Sequence, residues 1–177
     1  MVRILDKQFV PFISKERIQQ RIIELAKEID NDYRDLNPLF IAILNGSFIF
    51  AADFFRSLTI DAEISFVKLA SYSGMESTGT VMQAIGLEQN INSRHVIILE
   101  DIVDSGKTLS SFLPELQKDK PRSIKVLALL TKPAALKYGI TADYTGFEIP
   151  DKFVVGYGLD YDGYGRNLPE LYILADQ

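Results

Sequence analysis

The run Val96-Ile97-Ile98-Leu99 is apolar at every position and rich in β-branched side chains, so both faces of the strand it forms have to be buried. Such a strand belongs inside a parallel sheet, which commits the chain to an α/β layout with helices on both sides. The residues after this run carry chemistry. Glu100 and Asp101 come at the strand's end, and Asp104-Ser105-Gly106-Lys107-Thr108 leads into a helix whose start Asp104 or Ser105 can cap. Free N–H groups at a helix start form an anion site, and phosphate suits them. Three carboxylates beside a phosphate would repel it unless something neutral or cationic lay between. Ribose hydroxyls and a hydrated Mg²⁺ fit there, because Mg²⁺ keeps several waters and uses few carboxylates. Asp104, one turn on, then faces the reacting carbon. Gly106-Lys107-Thr108 is not the tail of a nucleoside-triphosphate loop, since that pattern needs Gly where this chain has Asp101.

The same grammar recurs along the chain. Ser14 can cap a helix that presents Ile18, Ile22, Leu25, Ala26 and Ile29 on one face. Leu39 to Leu44 is a second doubly buried strand, and Asn45-Gly46-Ser47 turns it into a helical segment from Phe48 to Arg56. Ile60 to Phe66 alternates apolar and polar residues, a strand with one wetter face near a sheet edge, and Val81 to Ile85 reads as another strand. Ser123 to Leu130 is a further strand, followed by a short helix from Pro133 to Tyr138 ended at Gly139. Strand, helix, strand, helix predicts a parallel doubly wound sheet flanked by helices, with ligands at the strands' carboxyl ends. At 177 residues and 47% hydrophobic content the chain can bury one sizeable core, so residues 1–177 are expected to form one domain. His95, the only histidine, stands apart from the acidic cluster and reads as structural.

Charge and composition exclude several classes of function. A net charge of −5 argues against a nucleic-acid partner, which requires a basic face. The sequence has no cysteine, so disulfides and thiolate metal sites are ruled out. No apolar run approaches the roughly 20 residues of a membrane span, and Met1 to Asp6 has no signal-peptide core, so a soluble cytoplasmic chain is expected.

Two regions have little to bury. Ser71 to Thr80 carries two glycines and reads as a loop between strands, suited to act as a lid in chemistry that must exclude water. From Tyr144 to Pro169 the chain is rich in glycine and aromatic residues, with single charges between them. Such a segment can stack one ring, Phe153, on a planar ligand while a nearby ammonium, Lys152, donates to a ligand carbonyl. Asp160-Tyr161-Asp162-Gly163 is not a calcium loop, because the glycine comes too early and Leu171 stands where the bidentate Glu belongs.

Glu100-Asp101 followed by Asp104-Ser105-Gly106-Lys107-Thr108 resembles the phosphoribosyl-diphosphate (PRPP) binding motif of type I phosphoribosyltransferases. The 144–169 stretch resembles the purine-binding hood of the hypoxanthine (hypoxanthine-guanine) phosphoribosyltransferases, and the likeness covers nearly the whole chain. It implies the type I fold with a small hood subdomain, formed by the N-terminal segment and about 144–177, and a lid at about 71–80. It also implies a purine-salvage reaction: a 6-oxopurine, hypoxanthine or guanine, reacts with PRPP to give IMP or GMP and diphosphate, with two Mg²⁺ ions when PRPP is bound and a homodimeric or homotetrameric assembly.

By the same likeness Glu100 and Asp101 bind ribose hydroxyls and metal, Asp104 handles the proton at purine N7, and Ser105, Gly106, Lys107 and Thr108 cradle the 5′-phosphate. Lys152 is similar to the donor to the 6-oxygen, Phe153 to the stacking ring, Val154 to a main-chain contact to the base, and Lys132 to a lysine near the purine. Asp160 resembles a ligand of the second Mg²⁺ at the purine side and Arg166 a diphosphate contact. Ser71 and Tyr72 correspond to the closing pair of the lid, and Leu44-Asn45-Gly46 to a diphosphate-binding turn that can carry a cis peptide. The sequence departs from the family in that turn, where Asn45 replaces a frequent Lys or Arg and Ser47 a frequent glycine. Two alternatives stay open: a PRPP-binding regulator of the same fold, and a xanthine or pyrimidine phosphoribosyltransferase.

Overall fold

A computed structural model describes residues 1–70 and 82–175. β1 (Val2–Ile4) and β2 (Lys7–Ile13) open the chain as an antiparallel pair. Ser14 then caps α1 (Lys15–Asp32), its hydroxyl accepting the Arg17 N–H at 3.4 Å, and the Ile18, Ile22, Leu25, Ala26 and Ile29 face of the helix is buried. β3 (Leu39–Leu44) leads into α2 (Phe48–Ser57), and the Ser47 hydroxyl between them donates back to Ile43 O at 2.6 Å. β4 (Glu63–Ala70), β5 (Met82–Ile85) and β6 (His95–Val103) follow, then α3 (Lys107–Lys118), β7 (Ser123–Thr131), β8 (Tyr144–Glu148), β9 (Val154–Val155) and β10 (Leu171–Leu174).

The large sheet has the order β5-β4-β3-β6-β7-β8. Its pairs are parallel from β4 to β8, and only β5 at the edge runs antiparallel. The unbroken apolar runs lie where burial on both faces demands. Phe40, Ala42, Ile97, Leu99, Leu127 and Leu129 point to one side, against α1 and α2. Leu39, Ile41, Ile43, Val96, Ile98, Val126 and Ala128 point to the other, against Leu109, Phe112 and Leu116 of α3. A second, antiparallel sheet has the order β1-β2-β10-β9, so strands from both ends of the described chain close it. Ile4, Phe9, Val155 and Tyr172 form its own small cluster. Tyr144–Glu148 is not in that sheet; β8 pairs parallel with β7 at the edge of the large one.

Three local expectations change. β6 does not end at the carboxylates but stays paired with β7 through Ile102↔Leu130 and Val103↔Thr131. Neither Asp104 nor Ser105 is the N-cap of α3; Gly106 is, at φ 83°, while the Ser105 hydroxyl accepts the Lys107 N–H at 3.3 Å. The helix expected from Pro133 to Tyr138 shrinks to a 3-10 turn over Pro133–Ala135, because the N–H groups of Lys137 and Tyr138 donate to Ser105 O at 3.0 and 3.2 Å and leave the helical ladder. Those bonds tie the segment after β7 to the loop before α3. No helix among the described residues is long and apolar enough to cross a membrane.

Candidate active site

The carboxyl end of β6 and the start of α3 line a cavity of about 230 Å³ formed by residues 100–109. Glu100 is buried on its floor, and its Oε2 has no hydrogen-bond partner among the described residues. Burial raises its carboxyl well above the ordinary range, and the neighbouring Asp101 charge adds to the rise. Burial also lifts Asp101, to about 6, although the Ile102 N–H, which donates to its Oδ1 at 2.9 Å, and the Arg166 charge pull the other way. Glu100, kept from water, and Asp101, only partly open to it, are poised for hydroxyl donors or a cation.

Two backbone segments close on this acidic end. A side chain on Gly46 would overlap the Asp101 carboxylate, and the Leu44–Asn45 peptide beside it is cis. Gly158, at φ 103°, approaches so near that a Cβ there would overlap Gly46 O. Arg166 fixes this second segment: it donates to Gly158 O at 2.7 Å and bridges Asp160 Oδ1 at 2.6 Å, while Asp160 Oδ2 accepts the Gly163 N–H at 2.7 Å. The 44–46 turn, the acidic strand end and the 156–166 loop are therefore packed together although they are far apart in the chain.

Asp104 points across to β7's end rather than into its own helix start. Lys132, buried along its stem, brings its ammonium within 3.0 Å of Asp104 Oδ2 and 3.6 Å of Asp151 Oδ1, and its N–H donates to Val103 O at 2.9 Å. Asp151 thus links the loop that carries Lys152 and Phe153 to the same lysine. Phe153 is 42% exposed and rests on Phe9 and Tyr161 at ring-centroid distances of 6.3 and 5.8 Å. Val154 is buried in β9, and Lys152 is exposed. Ser71 and Tyr72 lie outside the described residues.

Glu100, Asp101, Asp160 and Arg166 thus form one charged group, and Asp104 with Lys132 a second, joined to the first by the cavity that Glu100, Asp101 and Asp104 line. Among the described residues, no group of three or more His, Cys, Asp or Glu side chains is gathered closely enough to hold a metal ion unaided. Sequence reading missed Asp151 and Gly158. Asp151 looks like any surface carboxylate, but Gly158 lies in a run, Gly156 to Gly165, whose repeated glycines signal positive φ.

The parallel sheet with its acidic strand end, adjoining helix start and glycine contacts defines the class of phosphoribosyltransferases, and residues 14–162 match the family model described as the phosphoribosyl transferase domain. The hypoxanthine-guanine phosphoribosyltransferase of Aquifex aeolicus is 39% identical in an alignment that covers 99% of this chain and 100% of that protein. That of Bacillus subtilis is 42% identical over 163 residues, 92% of this chain and 91% of that protein. The crystal structure of a hypoxanthine-guanine phosphoribosyltransferase from Bacillus anthracis matches with a TM-score of 0.88 at 39% identity, covering 96% of this chain and 99% of that one. The chain belongs to the hypoxanthine-guanine phosphoribosyltransferase family.

Proposed function

We propose that the chain transfers the 5-phosphoribosyl group of PRPP to N9 of hypoxanthine or guanine, giving IMP or GMP and diphosphate in purine salvage. The observation that carries the reading is the cavity of about 230 Å³ in which the acidic end of β6 and the start of α3 share one wall. N–H groups at residues 105–108 take the 5′-phosphate, and Glu100 and Asp101 hold the ribose hydroxyls. Leu44, Asn45, Gly46 and Arg166 face the diphosphate.

The buried, unpartnered Oε2 of Glu100 supports a cation beside Asp101, with Asp160 near a second one. PRPP oxygens and waters would complete coordination that the protein's carboxylates leave open. When bound, Mg²⁺ neutralises charge on the departing diphosphate. Breaking the anomeric C–O bond develops positive charge on the ribose, and the carboxylates of Glu100 and Asp101 beneath it favour that charge.

Asp104 handles the proton at purine N7 while N9 attacks. Lys132 holds the Asp104 carboxylate at 3.0 Å, so with Asp104 at N7 its ammonium would reach the purine edge that carries both N7 and the 6-oxygen. We assign the donation to the 6-oxygen to Lys132 by position; Lys152, matched to that role by resemblance, stands at the exposed rim beside the stacking ring of Phe153 and the Val154 main chain. An ammonium accepts no hydrogen bond, so it suits a 6-oxo group and meets the adenine amino group donor to donor.

The test is a spectrophotometric assay with PRPP, Mg²⁺ and single bases. Hypoxanthine and guanine are expected to turn over, and adenine to be disfavoured by about 10⁴. Asp104→Asn is expected to fold normally and to lose about 10² to 10⁴ in kcat. Efficient use of adenine would overturn the lysine assignment, and near-wild-type turnover by Asp104→Asn would remove that carboxylate from the mechanism.

A further inference from the structure

Phe153 presents an open ring, 42% exposed, at the end of a loop, and a ring so placed stacks well on a base only if something behind it fixes its plane. Behind it is an aromatic triangle. Phe153 meets Tyr161 nearly edge-to-face, at 5.8 Å and 79°, while the fully buried Phe9 lies 6.3 Å from Phe153 and 6.2 Å from Tyr161.

Tyr161 is held more firmly than a half-buried tyrosine needs to be for packing alone. Its hydroxyl donates to Asp6 Oδ1 at 2.8 Å, and its N–H and C=O exchange bonds with Tyr164 at 2.9 and 3.0 Å. The Lys7 ammonium stands 4.7 Å from the centre of its ring and 5.9 Å from that of Phe153. A cation against a ring and an edge-to-face contact each resist rotation of the ring they touch. Tyr161 also follows Asp160, which Arg166 holds at 2.6 Å. One residue therefore joins the Phe153 ring to the first strands of the chain on one side and to the 156–166 loop on the other.

We propose that Tyr161, braced by Asp6 and Lys7, is a positioning residue that fixes the plane of Phe153, so that residues 6–9 set the affinity for the purine without touching it. This rests on the reading of Phe153 as the stacking ring. An aromatic pair of this geometry is worth about a 2- to 12-fold change in binding.

The experiment is steady-state kinetics with hypoxanthine and PRPP varied separately. Tyr161→Leu is expected to raise the hypoxanthine KM by about 2- to 12-fold, with kcat and the PRPP KM within about twofold of wild type. Tyr161→Phe, which keeps the ring but loses the bond to Asp6, is expected to fall between wild type and Tyr161→Leu. Lys7→Met, on the outside of the triangle, is expected to raise the same KM by a smaller factor and tests the proposal should Tyr161→Leu fail to fold. An unchanged hypoxanthine KM in both Tyr161→Leu and Lys7→Met, or a Tyr161→Phe variant as impaired as Tyr161→Leu, overturns the proposal. Phe153→Leu separates the two layers: if it raises the hypoxanthine KM while Tyr161→Leu does not, the bracing role is wrong, and if it changes nothing, the stacking role beneath it fails as well.

Discussion

Two adjacent carboxyls on the floor of the cavity, Glu100 and Asp101, are both raised by burial, and for Asp101 the rise is from 3.8 to about 6. In the unfolded chain Asp101 loses its proton near its ordinary value, while in the folded chain it keeps it to about 6. Between those values the folded state binds the extra proton, so this group's contribution to stability falls as pH rises through the window and stays lower above it. Asp101→Asn removes the ionisation. Its gain in stability over wild type is expected to be near zero at pH 4 and to open to an order of 2–3 kcal/mol by pH 7.5, because every tenfold difference in proton affinity between the two states is worth about 1.4 kcal/mol. Urea unfolding at the two pH values in metal-free buffer measures it, and a gap equal at both would show that burial does not raise Asp101. The same variant is expected to lose activity, since a site that holds two adjacent acids with raised proton affinity sacrifices stability for function. The acidic pair and the loop behind it were legible as residue types in sequence. The Lys132–Asp104 contact was not, since 28 residues separate its partners and neither carries a local signal.

The elements that could be read were those whose own residues decide the outcome. Leu39–Leu44 and Val96–Leu99 have no polar face to offer, so only the inside of a parallel sheet suits them, and they form the middle of it as β3 and β6. Ser14 and the 3.6-residue spacing of α1 were equally self-sufficient. Elements settled by distant partners were misread: Pro133–Tyr138 gives up its helix because Ser105 O takes its N–H groups, and Tyr144–Glu148 joins the large sheet because β7 has a free edge. The contact between the 44–46 turn and the 156–166 loop is the same kind of long-range decision, and Gly158 is its pivot. Gly158→Ala suffers twice, from φ 103° and from overlap with Gly46 O, whereas Gly163→Ala has φ 85° with open space around it. Each substitution carries about 1–3 kcal/mol of backbone strain. Only Gly158→Ala is expected to push the 44–46 turn away and, if that turn holds the diphosphate as proposed, raise the PRPP KM by about tenfold for each 1.4 kcal/mol transferred to the site. Equal PRPP KM values for the two variants would mean that Gly158 does not position the turn.

At the scale of the whole molecule the two sheets are held by very unequal cores. The large sheet is buried on both faces by clusters that run through α1, α2 and α3, while the small one has Ile4, Phe9, Val155 and Tyr172 for its own and joins the larger core through Ile13, Val154 and Leu171. Local opening free energy follows buried apolar contact, so the small sheet is expected to open well before the large one. Hydrogen exchange should then show β2, β9 and β10 exchanging faster than β3, β6 and β7, whose N–H groups open only with global unfolding. The proposed substrates bridge the two, since the purine would lie on Phe153 beside β9 while the phosphoribosyl group lies on β6 and α3. A ligand that binds only the closed arrangement stabilises it by RT ln(1 + [L]/Kd), about 2.7 kcal/mol at a hundredfold excess over Kd. With IMP at that excess, exchange in β2, β9 and β10 is expected to slow by about 100-fold where it proceeds through separation of the sheets. PRPP alone, which reaches the purine side least, is expected to slow it less than IMP. Slowing confined to residues 100–109, with the small sheet unchanged, would show that the nucleotide is held by β6 and α3 alone and that the sheet carrying Phe153 takes no part in binding it.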